Sequence, residues 1–303
     1  MTCTEVPGDP AHRGPVAGTK LDPSVAHIAR VRDYWLGGRD NFAVDRELGD
    51  AALAAFPGLV GSVRAGRAFL GRAVRYLTAG AGVRQFLDIG AGIPTAHSTH
   101  EVAQSIAPDA LVCYVDRDPV VFGHARALLA SRPHGRTSYL EADLRDTGKI
   151  LAEAASMLDL TQPVAVLLNA VLQFIPDDAD PGGIVAALLD AMPPGSYLML
   201  SHPASDLASE PRPDPASPLG RLLAQPATRR SHQQVSRFFG GLRLLPPGVV
   251  QLPEWRPGLA GPAGPADPAG PGGPAGHAHP ASPAGPDAGL TAGGGLWGGL
   301  GRK

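Results

Sequence analysis

The sequence predicts an α/β protein: a mostly parallel sheet with helices on both faces, preceded by a helical cap. Three observations predict it. Strand-like and helix-like patterns alternate through the middle of the chain, which is how a parallel sheet is built from crossover units. The strand-like runs are short and almost wholly apolar, as strands covered on both faces are. The third is the stretch FLDIGAGIPT, Phe86 to Thr95. It ends an apolar run in Asp88 and passes at once into a loop with Gly90 and Gly92.

The elements follow in order. QFLDIG reads as the first strand and THEVAQSIA as a helix. LVCYVD and TSYLEAD read as strands, followed by helices over PVVFGHARALLAS and ILAEAASML. PVAVLLNAV is a strand, GGIVAALLDAM a helix and SYLMLSH a strand. QQVSRFF then reads as a helix, and GLRLLPPGVVQL as a strand bent at Pro246–Pro247. Ahead of the sheet, DPSVAHIARVRDYWLG opens on Asp22, Pro23 and Ser24, a helix-start cluster. NFAVDRELGDAALAAF and VRAGRAFLGRAVRYL extend this helical layer, which would lie over the sheet as a lid.

The ends of the chain differ from its middle. Residues 1–20 are polar and aperiodic and read as disordered. Residues 257–295 are rich in Gly, Pro and Ala and lack the large apolar side chains a core needs, so they read as a disordered linker. Their triplet register breaks too often for collagen. A coda at 296–303, LWGGLGRK, carries Leu296, Trp297 and Leu300, which could dock on the domain at 21–256.

Composition excludes several classes. Of the 303 residues, 44% are hydrophobic, so a sizeable core is possible. The net charge of -2 gives no global attraction to nucleic acid or acidic membranes, and no basic stripe with interleaved aromatics is present. Cys3 and Cys113 match no metal or redox spacing, which suits a cytoplasmic protein without disulfides. The N-terminus lacks the apolar core of a signal peptide. No apolar run approaches the ~20 residues that span a bilayer.

The glycine loop raises the question of its ligand. In open α/β sheets ligands bind beyond the carboxyl ends of the strands. A dinucleotide fingerprint would be G-x-G-x-x-G/A, which this loop matches only loosely, and a phosphate loop needs a lysine that is missing. A carboxylate beside a pyrophosphate is unhelpful. S-adenosylmethionine (SAM) has no phosphate and carries an ammonium and a sulfonium, so Asp88 before Gly90 and Gly92 favours SAM. Two further strands end in Asp. Asp116 could accept both ribose hydroxyls, and Asp143 the adenine amino group, with Leu144 beside it. Each Asp alone could be only a turn or helix-cap residue; three in succession argue for a ligand.

On these residues the chain resembles the actinobacterial SAM-dependent methyltransferases formerly described as a domain of unknown function. The matching segments are VRDYWLGGRDNFAVDRE, RAFLGRAVRYL, FLDIGAGIPT, HEVAQ, YVDRDPVV, YLEADLRD, PVAVLLNAVLQFIPDD, LLDAMPPGSYLMLSH, RFFGGLRLL and GGLGRK. The resemblance implies a Rossmann-like methyltransferase sheet, SAM binding and no particular acceptor. It raises the expectation that Tyr34, Asn41 and Arg67 touch the cofactor or substrate, and Asn169 is grouped with them. The chain departs from the family pattern at Gln173, where His is usual, at Asn169, where an aliphatic residue is usual, and at Gly66, where Asn is usual.

Other candidates are weaker. Tyr34, Arg39, Asp40 and Asn41 would suit a lid, although Gly37 and Gly38 also suit a plain helix end. Arg64, Arg67, Arg72 and Arg75 fit an anion-binding face or a solvated one. His202, at the end of SYLMLSH, is the candidate general base, while Gln173 can position an acceptor but cannot move a proton. His97 and His100 lack the spacing of a zinc helix, and His277 and His279 are incidental to the tail. The reading is thus a SAM-dependent methyltransferase acting on O, N or C of a small molecule, without metal, nucleic acid or membrane. The rivals are a SAM-binding protein without catalysis and a nicotinamide-dependent oxidoreductase.

Overall fold

The computed structural model describes residues 22–55, 57–94, 97–130, 137–207, 214, 216–222, 227–259 and 295–303. The expected disorder at 1–20 and almost all of the 257–295 linker lie outside these residues, as do Cys3, His277 and His279.

Three helices come first: α1 (Ile28–Trp35), α2 (Ala43–Ala55) and α3 (Pro57–Arg75). The alternating block follows: β1 (Gln85–Ile89), α4 (Thr99–Ile106), β2 (Leu111–Asp116), α5 (Pro119–Ala130), β3 (Thr137–Glu141), α6 (Thr147–Ala154), β4 (Ala165–Asn169), α7 (Pro181–Asp190) and β5 (Tyr197–Pro203). The chain closes with α8 (Pro218–Leu222), α9 (His232–Arg237), β6 (Arg243–Leu244), β7 (Val250–Gln251) and β8 (Leu296–Arg302). Local chemistry sets several boundaries. Asp146 caps α6 by accepting from the Lys149 amide, and Ser231 and Gln234 form a reciprocal capping box on α9.

The sheet order is β3-β2-β1-β4-β5-β8-β6, with β7 also paired to β8. The pairs β1–β2, β2–β3, β1–β4 and β4–β5 are parallel, and β8 runs antiparallel to β5. Strand order reverses between β1 and β4, so the crevice for a ligand opens at their carboxyl ends. The bent strand expected over GLRLLPPGVVQL forms instead as β6 and β7, each two residues long and each paired to β8. The Pro246–Pro247 pair, which has one N–H fewer per residue to give a ladder, sits in the turn between them.

The coda completes the sheet. At Gly298 an added Cβ would lie 2.3 Å from Leu252 Cδ2, so only glycine lets β8 lie this close to the turn that covers it. Lys303 then donates its Nζ to the carbonyls of Leu189 and Met192, each at 2.7 Å, which satisfies the C-terminal end of α7.

Both sheet faces are covered. Phe86, Val112, Leu167 and Met199 pack under α3, α4 and Trp255, while Leu87, Cys113, Val166 and Leu198 pack under α6, α7 and α9. Each fully buried Leu or Phe contributes about 1.5–3 kcal/mol. Cys113 is a buried free thiol whose pKa is raised by burial. The cap has its own small core of Val31, Trp35, Ala52, Val60 and Leu219. A buried ion pair stiffens it: Arg30 Nε donates to Asp45 Oδ2 at 2.8 Å. No helix among the described residues is long and apolar enough to cross a membrane.

Candidate active site

The β1 loop forms the floor of the crevice. Gly90 and Gly92 have φ of 76° and 66°, the left-handed region that glycine enters without strain. An added Cβ at Gly90 would lie 2.5 Å from Val171, so the loops after β1 and β4 meet there. At Gly92 the corresponding space is open. The Gly92 amide donates to Asp116 Oδ2 at 2.9 Å, and the Asp118 amide to Asp116 Oδ1 at 3.0 Å. Asp116 is therefore fixed against the loop, with a lone pair left on each oxygen.

Asp88 lies lower. It is 3% exposed, and its Oδ2 accepts from Thr99 Oγ1 at 2.6 Å. Burial pushes its pKa up to about 6, against the Thr99 hydrogen bond and the positive Arg67. Arg67, half-buried on α3, lies in the field of Tyr114, Asp88, Tyr139 and Glu101, and burial lowers its pKa. Asp143 stands at the outer end, where Arg145 Nη1 donates to its two oxygens at 3.1 and 3.0 Å. Despite some burial, the Arg145 amide and guanidinium hold its carboxyl below the usual range. Leu144 is buried beside it. The structure thus brings Asp88, Gly90, Gly92, Asp116, Asp143, Leu144 and Arg67 to one edge.

Several expected residues serve other partners. The Tyr34 hydroxyl donates to Asp50 Oδ1 at 2.6 Å and so points into the cap. Asn41 donates to Asp33 Oδ2 and Gly38 O, and accepts from Arg46, which makes it a brace within the lid loop. The larger correction is His202. It is 0% exposed, with Nδ1 3.0 Å from Pro203 O and Nε2 2.7 Å from Arg230 Nη1. Burial, with Arg230 nearby, pushes its pKa down to about 4. Nδ1–H donates, Nε2 accepts from the guanidinium, and no nitrogen is left to take a proton from an acceptor. His100 is likewise engaged, with Nδ1 2.9 Å from the Tyr114 hydroxyl. Among the described residues no cluster could hold a metal ion.

The β4–β5 end carries Ser201, Asn169 and Gln173. Ser201 Oγ donates to Asn169 Oδ1 at 2.6 Å, and Asn169 Nδ2 lies 3.4 Å from Gly66 O. Two of the departures from the family pattern, Gly66 and Asn169, therefore face each other. Gln173 is buried on the turn after β4. Residues that sequence reasoning missed include Ser201, Arg230, Thr99 and Arg32. Arg32 reaches from α1 toward Asp116, and its burial lowers its pKa against that carboxylate. Only Ser201 had a sequence signal: it immediately precedes His202 on β5.

Five buried polar side-chain atoms lack a hydrogen-bond partner among the described residues: Asp33 Oδ1, His124 Nε2, Tyr139 Oη, Gln173 Oε1 and Trp255 Nε1. The first four belong to the cap, α5, β3 and the turn after β4, the elements that enclose the crevice. Such atoms are uncommon in a native fold. The open space at Gly92 and the fixed Asp116, with a lone pair left on each oxygen, fit the ribose of a nucleoside such as SAM. A separate groove of about 500 Å³, lined by Arg84, Gln85, Asp159 and Arg302 among others, lies at the amino ends of the strands and shares no residue with this edge.

Comparison with known proteins agrees. Residues 15–275 match the family model described as S-adenosyl methyltransferase. The crystal structure of a DUF574 family protein from Streptomyces avermitilis is 38% identical, with TM-score 0.72, over 93% of this chain and 99% of that one. A candidate methyltransferase from Thermobifida fusca is 37% identical, with TM-score 0.69, over 92% of this chain and 96% of that one. A comparison with curated proteins found no match.

Proposed function

The chain belongs to the S-adenosyl methyltransferase family, and from that premise we propose that it methylates O, N or C of a small-molecule acceptor seated at the ends of β4 and β5. It is a SAM-dependent methyltransferase with a Rossmann-like sheet. The single observation that carries the site assignment is the fixed Asp116 beneath the Gly90–Gly92 loop at the switch point of the sheet.

SAM supplies a methyl group on a sulfonium; the chain supplies grip, alignment and exclusion of water. Asp116 accepts the ribose hydroxyls with its remaining lone pairs. Asp143 and Leu144 line the adenine. Arg67 balances the methionyl carboxylate, while Asp88 acts from beneath by holding Thr99 and offsetting Arg67. The cap, with Arg32 toward Asp116, closes the crevice from above. Gln173 and Asn169 face the acceptor as hydrogen-bonding groups. The acceptor is a small molecule, a reading supported by the net charge of -2, which gives no global attraction to a polyanion.

A coda detached from the sheet would be one ground for a SAM-binding protein without catalysis. That ground falls away, because β8 lies between β5 and β6. The test is incubation with methyl-labelled SAM and pooled small-molecule acceptors. Acceptor-dependent release of S-adenosylhomocysteine is expected; tight SAM binding without release from any pool would favour the non-catalytic rival.

A further inference from the structure

The turn after β4 combines three features. Ala170 has φ 53°, a left-handed conformation that is costly for a residue with a Cβ and that clusters at functional sites. Gln173 is 5% exposed, and its Oε1 has no hydrogen-bond partner among the described residues. The backbone around it is held firmly by one guanidinium. Arg230 Nε and Nη2 donate to Asp177 Oδ1 at 3.0 and 2.7 Å, and Nη2 also to Ile175 O at 2.8 Å. Its Nη1 donates to Leu172 O at 3.1 Å and His202 Nε2 at 2.7 Å. All five N–H donors are used. The Gln173 carbonyl itself accepts from the Thr228 amide at 2.8 Å. The turn is therefore fixed along its backbone and unsatisfied at one side-chain oxygen, which an apolar side chain would have avoided.

Resting on the methyl-transfer reading above, we propose that Gln173 selects the acceptor: its Oε1 takes an N–H from a neutral amine, so the methylated atom is nitrogen. A carboxamide oxygen accepts a hydrogen bond but does not take a proton. An alcohol that gives Gln173 its one O–H stays protonated and nucleophilically weak. A phenolate or thiolate has no proton to give. A neutral amine gives one N–H and keeps its lone pair. That lone pair forms the new N–C bond, the S–C bond of SAM breaks with its electron pair left on sulfur, and the surplus N–H proton passes to water. Asn169, held by Ser201, offers a second neutral carboxamide at the end of β4, just before the turn. His202, with both nitrogens engaged, does not deprotonate a hydroxyl there.

The test uses the full chain and Gln173→Met, a substitution of similar length without the oxygen. The ligand-free variant should melt about 2–4 °C higher than the parent, because a costly orphan has gone. An unchanged or lower Tm would mean that the carboxamide serves the fold, and would overturn the proposal. In parallel, both proteins are given SAM labelled with carbon-13 in the methyl group, with matched sets of neutral amines, alcohols and phenols. The chemical shift of the transferred methyl identifies the bonded atom. N-methyl products, reduced about 100-fold in Gln173→Met, are expected; O- or C-methyl products overturn the proposal. Calorimetry with SAM separates the failures. A parent that does not bind SAM defeats the methyltransferase site itself, whereas equal SAM binding by both proteins with O-methyl product defeats only the selection by Gln173.

Discussion

The two halves of the crevice are made differently. The proposed cofactor half, at the ends of β1, β2 and β3, is built from carboxylates and loop amides close in sequence, such as Gly92 with Asp116. The proposed acceptor half, at the ends of β4 and β5, is assembled from afar: Arg230 reaches back to Leu172, Ile175 and Asp177. A local motif suffices to hold a ligand whose chemistry is constant. An acceptor wall is set by long-range packing, where substitutions change the substrate and leave the cofactor in place.

Mutations should separate the halves. Arg230→Met leaves two carbonyls and His202 without their donor, and a loss of about 2–4 kcal/mol in urea unfolding is expected. Its SAM affinity should change by less than about threefold, since the tie lies wholly on the acceptor side. Asp116→Ala should act on the cofactor side. Loss of two hydrogen bonds to a carboxylate predicts about 100-fold weaker SAM binding by calorimetry. If Arg230→Met abolished SAM binding, the division into halves would be wrong.

Acid titration offers a finer separation. The His202 pKa is pushed down to about 4 from the usual imidazole value near 6.5. Its contribution to stability is therefore complete above pH 6.5 and is lost as pH falls toward 4. Asp88 runs the other way. Its folded pKa of about 6 exceeds the ordinary carboxyl value, so the native state holds the proton more tightly and stability falls as pH rises from about 4 to 6. In melting curves against pH, His202→Gln should flatten the acid-side loss and Asp88→Asn should steepen it. The smallest effect expected is Ser201→Ala, about 1 kcal/mol by denaturation, because it removes one hydrogen bond that orients Asn169.

The same contrast explains what could be read from the sequence. Apolar runs such as QFLDI and AVLLN announced the sheet, because strands buried on both faces need little else. The loop glycines and Asp116 were visible because their partners lie within one crossover. Tyr34 and Asn41 were not, because a polar lid loop can bond to a ligand or to itself, and this one bonds to Asp50, Asp33 and Gly38. His202 was read as a base because β5 is buried on both faces and shows no alternation from which to tell its sides. In the fold, Ser201 shares the face of Asn169, whereas His202 stacks on Phe238 of the opposite layer. Arg230 left no local signal, since its worth comes from groups nearly thirty to sixty residues away.

The most direct measurement is calorimetric titration of the intact chain, and of Asp116→Ala, with SAM, S-adenosylhomocysteine and NADH. The account predicts that both adenosyl ligands bind the parent, that Asp116→Ala loses most of that affinity, and that NADH gives no heat. Binding of NADH alone, or SAM binding unaffected by Asp116→Ala, would contradict it.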